Sequence, residues 1–101
     1  METATDAPRF TIGMPTFDDY DGVYFTVQSL RLFHPDFCAN AEFVIVDNHP
    51  QGACAPALRD LANHVPGLRY IESGGETGSA LAKQRVFDEA QGEFIVCMDC
   101  H

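Results

Sequence analysis

Asp99 and His101 stand two residues apart, directly after the apolar run Phe94 to Met98. At a strand end alternate side chains point the same way, so this carboxylate and imidazole can meet one cation, or one cation and its ligand. The pair is a borderline ligand set, better matched to manganese than to magnesium alone. Such an ion would neutralise a departing diphosphate. Other polar residues follow two further apolar stretches: Thr16, Asp18, Asp19 and Asp21 after the first, Asp47 and Asn48 after the second. In open parallel sheets ligands bind beyond the carboxyl ends of the strands, so all of these fall on one rim. Asx residues also favour turns and helix N-caps, which is an adequate account of Asp18, Asp19 and Asp21 taken singly. It serves less well for Asp47 and Asp99, each of which directly ends an apolar strand.

Other patterns compete for the same residues. Cys97-Met-Asp-Cys100-His101 spells C-x-x-C-H, the form of a c-type haem attachment site, and Cys97 with Cys100 could begin a zinc site. Haem attachment implies an export signal and a closed zinc site a second ligand pair, and the sequence shows neither. Cys97 reads instead as a small apolar core residue. The loop Gly74 to Gly78 matches neither the Walker phosphate loop nor the G-x-G-x-x-G fingerprint. His34, His49 and His64 lack partners at ligand spacing and read as surface or capping residues.

The elements that position the rim follow from periodicity. Arg9 to Met14 is a strand that Pro15 stops, followed by a loop to about Gly22. Val23, Val27 and Leu30 define a helix from Gly22 to His34, closed by Pro35. Glu42 to Asp47 is a strand apolar on both faces, and Pro56 to Val65 a second helix. A short strand over 68–72, a flexible loop over 73–78, a helix built on Ala80, Leu81, Val86, Phe87 and Ala90, and a strand from Glu93 to Met98 complete the order. This alternation predicts an α/β, Rossmann-like fold: a parallel four-stranded sheet with helices on both faces and right-handed crossovers.

The 101 residues allow one compact domain, expected over 9–101 behind a disordered lead-in at 1–8. Fifteen acidic residues against six basic ones give a formal charge of −9, which argues against nucleic acid as a partner. The N-terminus lacks the basic and apolar regions of a signal peptide, and no apolar run is long enough to span a bilayer. A soluble, cytoplasmic chain with reduced cysteines is the expectation.

Four segments carry a resemblance to family 2 glycosyltransferases and the related polypeptide N-acetylgalactosaminyltransferases. Pro15-Thr-Phe-Asp18 resembles the family's Pro-Thr-Tyr-Asn, and Phe43-Val-Ile-Val-Asp-Asn48 its strand ending in a nucleotide-binding aspartate. Gly78-Ser-Ala-Leu-Ala-Lys-Gln84 with Ala90-Gln-Gly-Glu93 is similar to Gly-x-x-x-Ala-Arg-Asn then Ala-x-Gly-Glu, and Asp99-Cys-His101 stands at the Asp-x-Asp position. Lys83-Gln84 in place of Arg-Asn, Val86 in place of a usual glycine, and His49-Pro50 in place of Gly-Ser are departures.

The resemblance implies the N-terminal, nucleotide-sugar-binding half of a nucleotide-diphospho-sugar transferase fold. Thr16 and Phe17, with Pro15 beside them, would approach a uracil ring, and Asp47 would pair with the base. Lys83 would lie near base or phosphate, Asp99 would meet ribose and metal, and His101 would be a metal ligand. The Asp-x-His variant leans the donor toward a UDP-linked hexosamine. By the same resemblance the acceptor site, a remaining metal ligand and any general base lie past His101, so a chain of these residues is expected to be inactive alone and to associate through its truncated edge. The rival readings are a non-catalytic nucleotide-binding or interaction domain of the same fold and a Cys-x-x-Cys-His haem or redox protein.

Overall fold

The computed structural model describes residues 8–73 and 79–98. The lead-in at 1–7, the loop at 74–78 and residues 99–101, among them Asp99 and His101, lie outside the described residues. The elements are β1 (Phe10–Thr16), α1 (Tyr20–Phe33), α2 (Pro35–Cys38), β2 (Ala41–Asp47), α3 (Ala55–His64), β3 (Leu68–Glu72), α4 (Ser79–Glu89) and β4 (Phe94–Cys97). All pairings are parallel, in the order β3-β2-β1-β4. The chain therefore steps outward from β1 through β2 to β3, then reverses to lay β4 on the other side of β1.

Alternation along β1 and β2 divides the core between the two sheet faces. Ile12, Met14, Phe43 and Ile45 pack with Val23 and Val27 of α1 and Leu58 and Leu61 of α3. Val44 and Val46 face the other way, against Ala82 and Val86 of α4. Helices thus cover both faces, as the alternation predicts. On α4, however, the buried stripe is Ala82 and Val86, whereas Leu81 and Phe87 are about half exposed.

β1 does not stop at Met14: Pro15 is paired in register with Val46 and the strand runs on to Thr16. Backbone direction explains this. Phe10 donates to Asn40 and Thr16 accepts from Asn48 on the β2 side, whereas Arg9 and Gly13 accept from Phe94 and Met98 on the β4 side. An odd-numbered Pro15 therefore turns its missing N–H away from β2, and the β4 partners of β1 end at Gly13. α1 likewise begins before Gly22, because the Asp19 carboxylate caps it by accepting from the Gly22 N–H at 3.0 Å. Pro35 ends α1 and also opens the short α2 at its first turn.

A second polar network ties the strands to the turn before β4. Glu42, nearly buried, accepts from the Thr11 hydroxyl at 2.6 Å, the Gln91 N–H at 2.7 Å and the Arg69 guanidinium at 2.9 Å. Burial pushes its carboxyl up, but these donors together outweigh it and hold the group below the ordinary glutamate range. The Gly92 N–H donates to the Thr11 hydroxyl at 2.9 Å, and a Cβ on Gly92 would lie 2.6 Å from the Phe10 backbone, so the turn can only pass this close without a side chain.

Cys97 is exposed instead of forming part of the core. β4 is an edge strand covered by α4 on one face, while α1 and α3 pack over the neighbouring strands. Phe94 and Val96 are correspondingly half exposed. Cys38, Cys54 and Cys97 are free thiols.

Candidate functional site

The sheet reverses direction between β1 and β4, and the crevice beyond the carboxyl ends of strands at such a reversal is where open α/β sheets take their ligands. Register places Thr16 beside Asp47 and Asp47 beside Glu72, so the ends of three strands are level. The rim residues of β1 and β2 are together. Asp99 and His101, expected to complete the rim after β4, lie outside the described residues.

Asp47 is fully buried, and both carboxylate oxygens are engaged. Oδ1 accepts from the His49 N–H at 2.9 Å, and Oδ2 accepts from the Tyr70 hydroxyl at 2.5 Å. Burial, followed by this hydrogen bond and the nearby carboxylate charge, pushes the Tyr70 phenol well above its ordinary range, so the hydroxyl remains a donor. Arg59 of α3 lies 5.3 Å from the Tyr70 ring centroid and donates to Glu72 at 2.9 Å and to the Pro50 carbonyl at 3.3 Å. The aspartate that ends β2 is thus anchored by β3 and by the loop that follows it. Next to it, Asn48 Oδ1 is buried and accepts no hydrogen bond among the described residues. An acceptor in that condition costs about 1–3 kcal/mol until a donor reaches it.

Thr16 is buried, and its hydroxyl donates to the Asp19 carbonyl at 3.2 Å. Phe17 is 63% exposed, yet its ring stacks on His49 with centroids 4.8 Å apart and planes 15° apart. Asp18 follows with φ of +49°, a left-handed conformation that aspartate tolerates better than most residues. Its Oδ1 accepts from the Cys54 N–H at 3.0 Å, and its carbonyl accepts from the Cys54 thiol. The loop after β1 and the loop after β2 are therefore interlocked. Lys83 is exposed in the second turn of α4, whose first residue follows the loop leaving the rim end of β3.

Among the described residues no three His, Cys, Asp or Glu side chains converge as ligands to one ion. The local reason is that Asp18, Asp19 and Asp47 are committed to backbone and side-chain donors. Of the described rim groups, Phe17 presents an open aromatic face, whereas the Asp47 carboxylate and the unpaired Asn48 Oδ1 lie buried behind it. The sequence places Asp47 and Phe17 at the rim, where the structure has them, but does not signal their contacts with Tyr70 and His49. The alternation of Tyr70 with Leu68 on β3 places both toward the α3 side, and that was the available signal for Tyr70.

Comparison with known proteins gives two findings. Residues 11–101 match the family described as Glycosyl transferase family 2. The chain is also 32% identical over 72 residues to the Dolichol-phosphate mannosyltransferase of Saccharomyces cerevisiae, a match covering 68% of this chain and 27% of that protein. No helix among the described residues is long and apolar enough to cross a membrane.

Proposed function

Since this chain belongs to glycosyl transferase family 2, we propose that it holds the donor in a glycosyl transfer, a UDP-sugar bound through a divalent cation, preferably manganese. The observation that carries this reading is the level rim at the sheet reversal, where Phe17, Asn48 and the anchored Asp47 stand together. Pro15, Thr16 and Phe17 approach the base, Asp47 reaches its polar edge by exchanging the His49 or Tyr70 hydrogen bond for one to the base, and Lys83 lies near base or phosphate. Asp99 meets ribose and cation, and His101 is the second ligand. When bound, the cation supplies neutralisation of the diphosphate leaving group. The chain spans about a quarter of the length of the curated relative it matches.

Calorimetry tests the reading. UDP should bind more tightly with Mn²⁺ than without it, and Asp99→Ala combined with His101→Ala should abolish the difference. Equal UDP binding by both proteins with and without Mn²⁺ would reject the assignment of the cation.

A second reading concerns the sugar alone. The likeness to a mannosyltransferase favours a mannosyl donor over a hexosamine. Competition between nucleotide-linked mannose and UDP-N-acetylhexosamine for the same site separates the two.

A further inference from the structure

We propose that His49 is a positioning residue that holds the Phe17 ring as a platform on which a nucleobase stacks, an inference that rests on the nucleotide-sugar reading above. A phenylalanine ring 63% exposed at a ligand rim would ordinarily sample several rotamers. Here one face lies against His49, 4.8 Å away and nearly parallel, which leaves most of the ring open to solvent. His49 and the loop that carries it are held by three restraints. The His49 N–H donates to Asp47 Oδ1 at 2.9 Å, and its ring is backed by Gly52, where a Cβ would lie 2.4 Å from Cδ2. The third restraint is the Asp18 to Cys54 bond at 3.0 Å, which ties the Phe17 loop to the His49 loop.

Planar groups stack on such a face through dispersion and the ring quadrupole, and they do so with little dependence on which base is presented. A platform that is already ordered spares the ligand the entropy of ordering it. Gly52 belongs to the same device, since a Cβ there would crowd both the imidazole and the Asp18 carboxylate.

The test compares UDP with pyrophosphate, which shares the phosphates but has no base. Binding of each is measured calorimetrically with Mn²⁺ for the unaltered chain, His49→Ala and His49→Phe, with far-UV circular dichroism as the check on folding. His49→Ala should weaken UDP about fivefold, as expected for loss of one stacked aromatic pair. Pyrophosphate should be unaffected, and His49→Phe, which restores a ring, should keep UDP affinity within about twofold of the unaltered chain by the same argument. Should His49→Ala fail to fold, His49→Gln removes the ring while keeping bulk and makes the same comparison. Unchanged UDP affinity on loss of the ring, or equal weakening of UDP and pyrophosphate, would overturn the positioning role. An unaltered chain that binds neither probe overturns the nucleotide-sugar reading itself, an outcome visible before any variant is made.

Discussion

A carboxylate with no solvent exposure is costly unless its oxygens are satisfied, and at Asp47 the Tyr70 hydroxyl supplies half of that satisfaction. Tyr70→Phe keeps the ring under Arg59 and removes only the donor. Unfolding in urea should show a loss of about 1.5–3 kcal/mol, the range for a hydrogen bond to a charged group. The alkaline limb carries a second signature. Because the folded phenol titrates above the ordinary value of 10.0, this part of the stability is complete below that pH and is lost as pH rises through the higher folded value. Tyr70→Phe should lack that alkaline decline; the same slope in both proteins would assign it to other groups. At this scale the sequence was legible where a residue ends a strand, as with Asp47, and opaque where its partner comes from a distant element. Tyr70 is 23 residues away in the chain, and the ring facing His49 belongs to a different loop.

Between elements, one close approach sets how near α4 comes to β1. A Cβ on Gly13 would lie 2.2 Å from Val86 Cγ1, so the helix rests on bare β1 backbone. Gly13→Ala should therefore destabilise the chain by about 1–3 kcal/mol, the usual cost of overpacking. Adding Val86→Ala should return part of that loss, a coupling that a double-mutant cycle in urea measures. Additive effects would mean that the two positions do not share space. Val86 and Gly13 are thus steric complements across the β1–α4 contact.

The Glu42 network makes the complementary, electrostatic connection between β2, β3 and the turn into β4. Its folded carboxyl titrates below the ordinary value of 4.5, so its contribution is present above that pH and is lost as pH falls through the lower folded value. Glu42→Gln should flatten the acid limb of a stability–pH profile and cost about 2–3 kcal/mol at neutral pH, because Arg69 and Thr11 lose a charged acceptor. An acid limb of unchanged steepness would place the titration elsewhere. Element type and order were readable from periodicity, since strands apolar on both faces and helices with one stripe leave few alternatives. Boundaries were less so. The tolerance of β1 for Pro15 depends on which neighbour each N–H faces, and the choice of Ala82 and Val86 as the buried stripe depends on which strand α4 covers; neither is a local property of the sequence.

At the scale of the whole molecule, burial and charge pull in opposite directions. Among the described residues β4 pairs with β1 alone, and Phe94 at 50% and Val96 at 44% exposure lie on the face that α1 and α3 leave uncovered. Half-exposed Leu81 and Phe87 lie nearby in sequence on α4. An apolar edge strand with free backbone groups is a template for pairing with another chain. Opposing it, a formal charge of −9 on 101 residues makes two copies repel over a distance set by the Debye length. The balance predicts association that grows with both protein concentration and salt, because salt screens the repulsion and leaves the apolar contact intact. Sedimentation velocity across a salt series should show this shift, and Val96→Lys together with Phe94→Lys should suppress it by placing charge on the edge. Association that weakens with salt would instead indicate ion pairing between copies, and an oligomer indifferent to both lysines would put the contact on another surface.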